Sequence, residues 1–107
     1  MNSEKVILVD EAIEDLEVGS LFYNSQRQGI GNYFVSSLLT DVASLEIYAG
    51  IHSIHYGYHR MLSQRFPFAV YYEIVLGISR VVAVLDMRQD PDSIQKILQQ
   101  RRKKHVK

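Results

Sequence analysis

Arg65-Phe66-Pro67-Phe68-Ala69-Val70-Tyr71-Tyr72-Glu73-Ile74-Val75, a break at Leu76-Gly77, then Ile78-Ser79-Arg80-Val81-Val82-Ala83-Val84-Leu85-Asp86-Met87-Arg88 is the stretch whose reading decides the fold. β-Branched and aromatic residues dominate both runs and Gly77 marks the reversal, the pattern of two antiparallel strands joined by a tight turn. Tyr58 to Leu62, just ahead, supplies a third strand. The region from Tyr58 to Arg88 therefore reads as an antiparallel meander.

Side chains alternate faces along a strand. In the first long run the even positions are apolar (Phe66, Phe68, Val70, Tyr72, Ile74) and are expected to face the core. The odd positions, Ala69, Tyr71 and Glu73, are expected to face outward. In the second run Val81, Ala83, Leu85 and Met87 form the apolar set, expected on the core face. One sheet face is thus predicted greasy, and the other carries Tyr71, Glu73, Arg80, Asp86 and Arg88. In the strand at 58–62, Arg60 and Leu62 share one face, His59 and Met61 the other.

Working outward toward the N-terminus, Val6-Ile7-Leu8-Val9 suits one short strand. Asp10 is a candidate helix N-cap, and Glu11, Glu14 and Asp15 suit the positive end of a helix dipole. Ile13, Leu16, Ser20 and Tyr23 recur at helical spacing. Gly19 and Ser20 sit mid-helix, where their small size would let another helix approach. Gly29-Ile30-Gly31 breaks the helix. A second helix is predicted from about Asn32 to Ala49, with Phe34, Leu38, Val42 and Leu45 along one stripe. The two form an αα-hairpin whose apolar side can lie on the sheet.

The segment Ile51 to Gly57 carries His52 and His55, with His59 just beyond. That spacing would converge on a metal if helical. Gly50 and Gly57 bracket it, however, so it reads as a loop with hydrogen-bonded or solvated histidines, and no metal or cofactor is expected. At the other end, Asp90 as N-cap and Pro91 at the first helical position start a final helix. Ile94, Ile97 and Leu98 anchor it for one or two turns. Residues 92–107 are read as a C-terminal helix and basic tail, apolar beyond Gln99 only at Val106.

The 107 residues suit a single domain spanning 1–107. Twelve Lys+Arg balance twelve Asp+Glu, yet residues 10–17 hold five acids and residues 101–107 five Lys/Arg. A neutral chain is a poor candidate for bulk phosphate-backbone binding, so direct sequence-specific DNA binding is not expected. There is no cysteine, hence no disulfide framework and no thiolate chemistry. Met1-Asn2-Ser3-Glu4-Lys5 lacks a signal-peptide apolar run and no stretch approaches transmembrane length, so a cytoplasmic location without membrane association is expected.

Arg60, the run Arg65-Phe66-Pro67-Phe68 leading into Tyr71-Tyr72, and Arg88-Gln89-Asp90-Pro91 together resemble the RelE/ParE superfamily, the toxin halves of bacterial type II toxin–antitoxin modules. The resemblance covers residues 5 to 91. It implies an α+β fold: a short strand, an αα-hairpin, a three-stranded antiparallel meander and a C-terminal helix, with the helices on one face of the sheet. It also implies a cognate antitoxin as partner.

The superfamily has two branches. Members of the ribonuclease branch cut messenger RNA on the ribosome without a metal, and by resemblance Arg60, Arg65, Tyr71 and Arg88 would carry that chemistry. ParE-like members inhibit DNA gyrase by binding, and Tyr71, Arg80 and Arg88 would then be the target-binding side chains. A ribonuclease site needs a base, an acid and a cation for the phosphate. Ala69 stands where ribonuclease members commonly place an arginine, and Asp86 and Glu73 put carboxylates beside the remaining cations. The ParE-like reading, toxicity by binding gyrase, is therefore preferred. The RelE-like endonuclease is the alternative, and an inactive member acting only as a binding module a further one.

Overall fold

The computed structural model describes residues 5–105, the side chain of His105 excepted; the expected anchor at Val106 lies outside them. In chain order the elements are β1 (Lys5–Leu8), α1 (Asp10–Gln26), α2 (Ile30–Ala43), α3 (Leu45–Tyr48), β2 (Ile54–His55), β3 (Tyr58–Leu62), β4 (Phe68–Val75), β5 (Ile78–Asp86) and α4 (Pro91–His105). The five strands form one sheet in the order β1-β5-β4-β3-β2. β1 runs parallel to β5, and the other neighbours are antiparallel. The expected α+β architecture and order of elements are present. The expected loop at 51–57 contributes one more strand, β2. It enters β3 through Tyr56-Gly57, both at positive φ, as does the hairpin turn Leu76-Gly77. Two consecutive positive-φ residues match the right-handed twist of the flanking strands.

The αα-hairpin packs tightly for a stated reason. A Cβ on Gly19 would lie 2.5 Å from Phe34 Cε2, and one on Gly31 would lie 2.4 Å from the Ser20 carbonyl oxygen. The glycines set mid-helix in α1 and at the start of α2 thus permit the crossing. Asp10 begins α1 within its first turn and the N-cap is Val9, with no side-chain cap; the expected capping role of Asp10 is not realised. The second helix starts at Ile30, and Ser44 splits it from the short α3. Asp90 does start α4: its carbonyl accepts from Ser93 N and Ile94 N, and its carboxylate from Asp92 N at 3.1 Å.

Two cores flank the sheet. Leu16, Phe34, Leu38, Val42 and Leu45 of the helical hairpin pack on Phe68, Val70, Tyr72 and Val81. On the opposite face Ile94 and Leu98 of α4 pack on Tyr58, Ala69, Tyr71, Val82, Ala83 and Leu85. The even set of β4 lies under α1 and α2 as expected, apart from the half-exposed Ile74. The helices do not all lie on one face, and this corrects the expectation. A run of consecutive buried residues, Phe68 to Tyr72, is what a strand shows when both its faces are covered.

The phase of β5 also changes within the strand. Tyr71 pairs with Ala83 but Tyr72 with Val81, so Val82 is an extra, bulged residue. A one-residue slip exchanges the faces. Val81 therefore joins the core beneath the helical hairpin, whereas Ala83 and Leu85 join the one beneath α4, and Val84 takes the place expected for them.

β1 pairs only as far as Val81, so β5 from Val82 onward is a sheet edge. Side chains close it. Asp15 of α1 accepts from Val84 N at 2.9 Å, and Arg101 of α4 donates to the Val82 carbonyl at 3.0 Å. The same two residues form a two-pronged ion pair at 2.6 and 2.8 Å, and Asp15 holds the Arg101 guanidinium above its ordinary pKa. Further along α4, Lys104 pairs with Glu11 at 2.8 Å. The basic end of α4 is a docked, paired segment of helix, where a fraying tail was expected.

Removing one partner of a largely buried ion pair leaves the other uncompensated. Asp15→Ala is expected to cost about 2–4 kcal/mol, since both Arg101 and the Val84 amide lose their acceptor. Urea denaturation measures this, and a loss below about 0.5 kcal/mol, the range of ordinary surface changes, would contradict it.

Candidate functional site

The residues expected to share an outward face are separated by the β5 bulge. Tyr71, Glu73, Arg60 and Arg80 remain together on the α4 side: Arg60 pairs across from Tyr71 in β3, and Glu73 from Arg80 in β5. Asp86 pairs with Phe68 and so belongs to the helical-hairpin side. Arg88 follows it there. Its Nε and Nη2 clasp the Asp86 carboxylate at 3.0 and 2.7 Å, and Nη2 lies 3.3 Å from the Tyr23 hydroxyl. These hydrogen bonds hold Asp86 below the usual carboxylate pKa and Arg88 above its ordinary value.

On the α4 side the central residue is closed off. Tyr71 has no exposed surface and sits against Ile94 and Leu98. Its hydroxyl donates to Met87 Sδ at 3.5 Å, and Arg60 lies across from it in β3. Burial pushes its phenol pKa up, with Arg60 opposing. Both facts correct the expectation of an outward-facing tyrosine available to a target. A raised pKa is also the wrong direction for a base that must take a proton from a 2′-hydroxyl. Ala69, expected outward, is fully buried in the same core. Arg60 Nε is buried without a hydrogen-bond partner among the described residues. Arg80 donates to Glu73 at 2.8 Å. Arg102 of α4 stacks 4.3 Å over the Tyr58 ring and donates to the Tyr56 carbonyl at 3.0 Å. Arg65 lies exposed in the β3–β4 connection, outside the paired strands that carry this cluster.

Arg88, a candidate in both branches, is thus neutralised by Asp86, and Arg80, a target-binding candidate, by Glu73. Of the four candidates for ribonuclease chemistry, Arg60 and Tyr71 are neighbours across β3 and β4, while Arg65 and Arg88 lie elsewhere. Asp15, Arg101 and Arg102, which shape this face, were not singled out by the sequence as site residues. The one signal for them was the placement of acids at one end of the chain and bases at the other.

The three histidines have separate partners. Tyr72 and His52 Nδ1 are 2.5 Å apart, His55 Nε2 lies 3.0 Å from Ser53 Oγ, and His59 Nδ1 lies 2.7 Å from the His52 carbonyl. Among the described residues no group of three or more His, Asp or Glu is placed to hold a metal. No helix there is long and apolar enough to cross a membrane.

An apolar concavity lies on the helical hairpin beside β1. It encloses about 710 Å³ between α1, α2 and β1, lined by Leu8, Ile13, Leu16, Leu21, Val35 and Leu39, with Glu17 and Ser20 supplying polar atoms. Leu21 is 71% exposed and Ile13 and Leu39 nearly half exposed. Contiguous exposed apolar surface of this kind is uncommon on small proteins. Its one acidic lining residue, Glu17, is exposed.

No protein-family model matches the sequence. No curated protein matches it either. Among solved structures, the fold is similar to a chain of the chromosomal ParDE TA system from P. aeruginosa, with a TM-score of 0.73 over 80% of this chain and 98% of that one, at 15% identity. At that identity the likeness establishes the fold: this chain has a ParE-like α+β fold, as the order of elements and motifs implied.

Tyr71 and Arg88 should separate sharply by stability. Tyr71→Ala is expected to cost about 3–5 kcal/mol as a large core truncation. Arg88→Ala, which removes an exposed ion pair, should cost about 1 kcal/mol or less. Thermal or urea unfolding of the two variants checks this, and a near-neutral Tyr71→Ala would contradict the closed face.

Proposed function

We propose that this chain is the toxin component of a type II toxin–antitoxin module, ParE-like in action, which binds DNA gyrase and is neutralised by a cognate antitoxin in the cytoplasm. The observation that carries the choice of branch is the closed α4 face. Ribonuclease chemistry on that face needs an accessible cation and a proton-transfer group, and here Tyr71 is buried while Arg80 is paired with Glu73. A binding inhibitor needs shape and a few anchors rather than a catalytic set. Arg88, with about half its side chain exposed, is the target-binding arginine in this reading, seconded by the partly exposed Arg80. Tyr71 supports the fold beneath them. Fold alone does not give function, so the toxin assignment rests on the ParE-like fold together with the motif residues.

The groove of α1 and α2 is where the antitoxin docks in this proposal. It suits an amphipathic helix that lays apolar residues at i, i+3/i+4 and i+7 against Leu21, Val35 and Leu39. Glu17 in its lining favours a helix with a flanking Lys or Arg. A segment that is disordered when free orders itself on binding, at an entropic cost that a groove of this apolar character offsets.

Two assays on purified protein test the target: supercoiling by gyrase, and messenger cleavage on programmed ribosomes. Inhibited supercoiling with intact messenger is expected, and Arg88→Ala should weaken the inhibition while leaving the fold in place. Codon-dependent cleavage with untouched supercoiling would overturn the gyrase reading. Absence of both, with normal growth on expression, would favour the inert binding module. For the partner, Leu39→Glu is expected to weaken antitoxin binding by 10-fold or more, roughly the 1.4 kcal/mol or greater loss of burying a charge in a hot spot. Unchanged affinity by titration calorimetry would move the docking site elsewhere.

A further inference from the structure

We propose that Tyr23 sets Arg88 to recognise a neutral carbonyl, and that Arg88 and the cleft beside it take an uncharged, apolar segment of the target protein. The proposal rests on Arg88 being the target-binding arginine.

The donors of Arg88 can be accounted for one by one. A guanidinium carries five N–H donors in a fixed fork and no acceptor. Asp86 takes one edge of the fork, from Nε at 3.0 Å and from Nη2 at 2.7 Å. The other Nη2 hydrogen goes to the Tyr23 hydroxyl oxygen at 3.3 Å. Carboxylates and phosphates grip arginine best through a parallel pair of N–H groups. One such pair belongs to Asp86. Tyr23 breaks the other, Nη1 with Nη2. What remains is Nη1, which has no hydrogen-bond partner among the described residues. With the Asp86 carboxylate in contact, the unit carries no net charge, so a second anion gains little there. A peptide carbonyl can accept from Nη1 and needs no counter-charge.

The arrangement is fixed at both ends. Arg88 N donates to Asp86 Oδ1 at 2.8 Å, which ties the carboxylate to the backbone of the residue it clasps. The Tyr23 ring is wedged among Phe22, Phe34 and Phe66, with centroids 5.1, 5.2 and 4.9 Å away. An arginine loses much rotamer freedom when a partner immobilises it, and here that loss occurs on folding. Tyr23 is in this sense a positioning residue.

Asp86 and Gln89 also line a cleft of about 300 Å³ between α1 and β5, together with Val18, Phe22, Phe68 and Leu85. Val18 is 67% exposed and Phe22 47%. Both carboxylates in its lining are engaged, Asp86 by Arg88 and Asp15 by Arg101. The cleft thus offers apolar surface without a free charge. A segment that suits it places an apolar side chain there and a main-chain carbonyl on Nη1. A phosphate backbone or an acidic peptide suits neither.

The tests use the full chain. Inorganic phosphate is titrated while the Arg88 Nε–H signal is followed by NMR. The wild type should not shift, and a saturable shift overturns the neutral-acceptor claim. Relaxation of the same Nε should show Arg88 ordered in the wild type and more mobile in Tyr23→Phe, which keeps the ring in its aromatic cluster. Equal order in both overturns the role of Tyr23. In gyrase supercoiling assays Tyr23→Phe, at unchanged melting temperature, is expected to raise the half-inhibitory concentration about threefold, as for one hydrogen bond. Val18→Glu should raise it about tenfold and leave antitoxin affinity unchanged. If Val18→Glu weakens antitoxin binding and spares inhibition, the cleft is the antitoxin's and the proposal falls. Wild-type inhibition should change less than about twofold between about 0.05 and 0.2 M salt, and a steep fall would mean an anionic partner and overturn it. A wild type that leaves supercoiling untouched defeats the gyrase reading and with it the target segment. The phosphate and relaxation results need no gyrase and decide the setting of Arg88 by themselves.

Discussion

The fold depends on how the open edge of β5 is closed. β1 is too short to cover it, so from Val82 onward the backbone of a central strand would face water or another chain. Asp15 and Arg101 stand in for the missing strand, one accepting from the Val84 amide, the other donating to the Val82 carbonyl, while paired with each other. At the far end of the same edge, Gln89 Nε2 donates to the Asp86 carbonyl at 2.9 Å. One residue comes from the first helix and the other from the last. The pair therefore closes the sheet and fixes α4 to α1 at once.

Fixing α4 determines what the sheet can do. The helix has a narrow apolar stripe, with Ile94 and Leu98 buried and Ile97 partly so. Its polar remainder is held by Arg101 to Asp15, Arg102 to Tyr58 and Tyr56, and Lys104 to Glu11. Held there, it covers the face on which the superfamily resemblance placed catalytic side chains. The bulge at Val82 completes the separation by turning Asp86 and Arg88 toward the other side. What remains accessible is an apolar groove on the helical hairpin and, elsewhere on the surface, the exposed Arg65 and the half-exposed Arg88.

Much of this was legible in the residues. The hairpin, the turn at Leu76-Gly77, the helix stripes, the close helix crossing at Gly19 and the start of α4 at Asp90-Pro91 follow from local rules, and the structure has them. The burial of Tyr71 was not legible, because alternation tells which residues share a face but not whether that face is covered. Ala69 and Tyr71 carried the hint, being apolar or aromatic on a face assigned to solvent. The bulge left no signature either, since Val81-Val82-Ala83-Val84-Leu85 is apolar in either phase. The partners of Arg101 and Lys104 were hidden because pairing across 86 residues, as in Asp15 with Arg101, is a property of topology. The same charges had a sufficient local explanation in the helix dipole.

The central claim is that α4 closes the sheet face over Tyr71 in the folded protein. Nitration of tyrosines under native conditions, followed by peptide mass analysis, measures this directly. Tyr33 and Tyr48, each about half exposed, should react readily, while Tyr71, with no exposed surface, should react only on unfolding. Modification of Tyr71 at a rate comparable to Tyr33 would show an open face, and would return the arginines and the tyrosine of that face to consideration as a catalytic site.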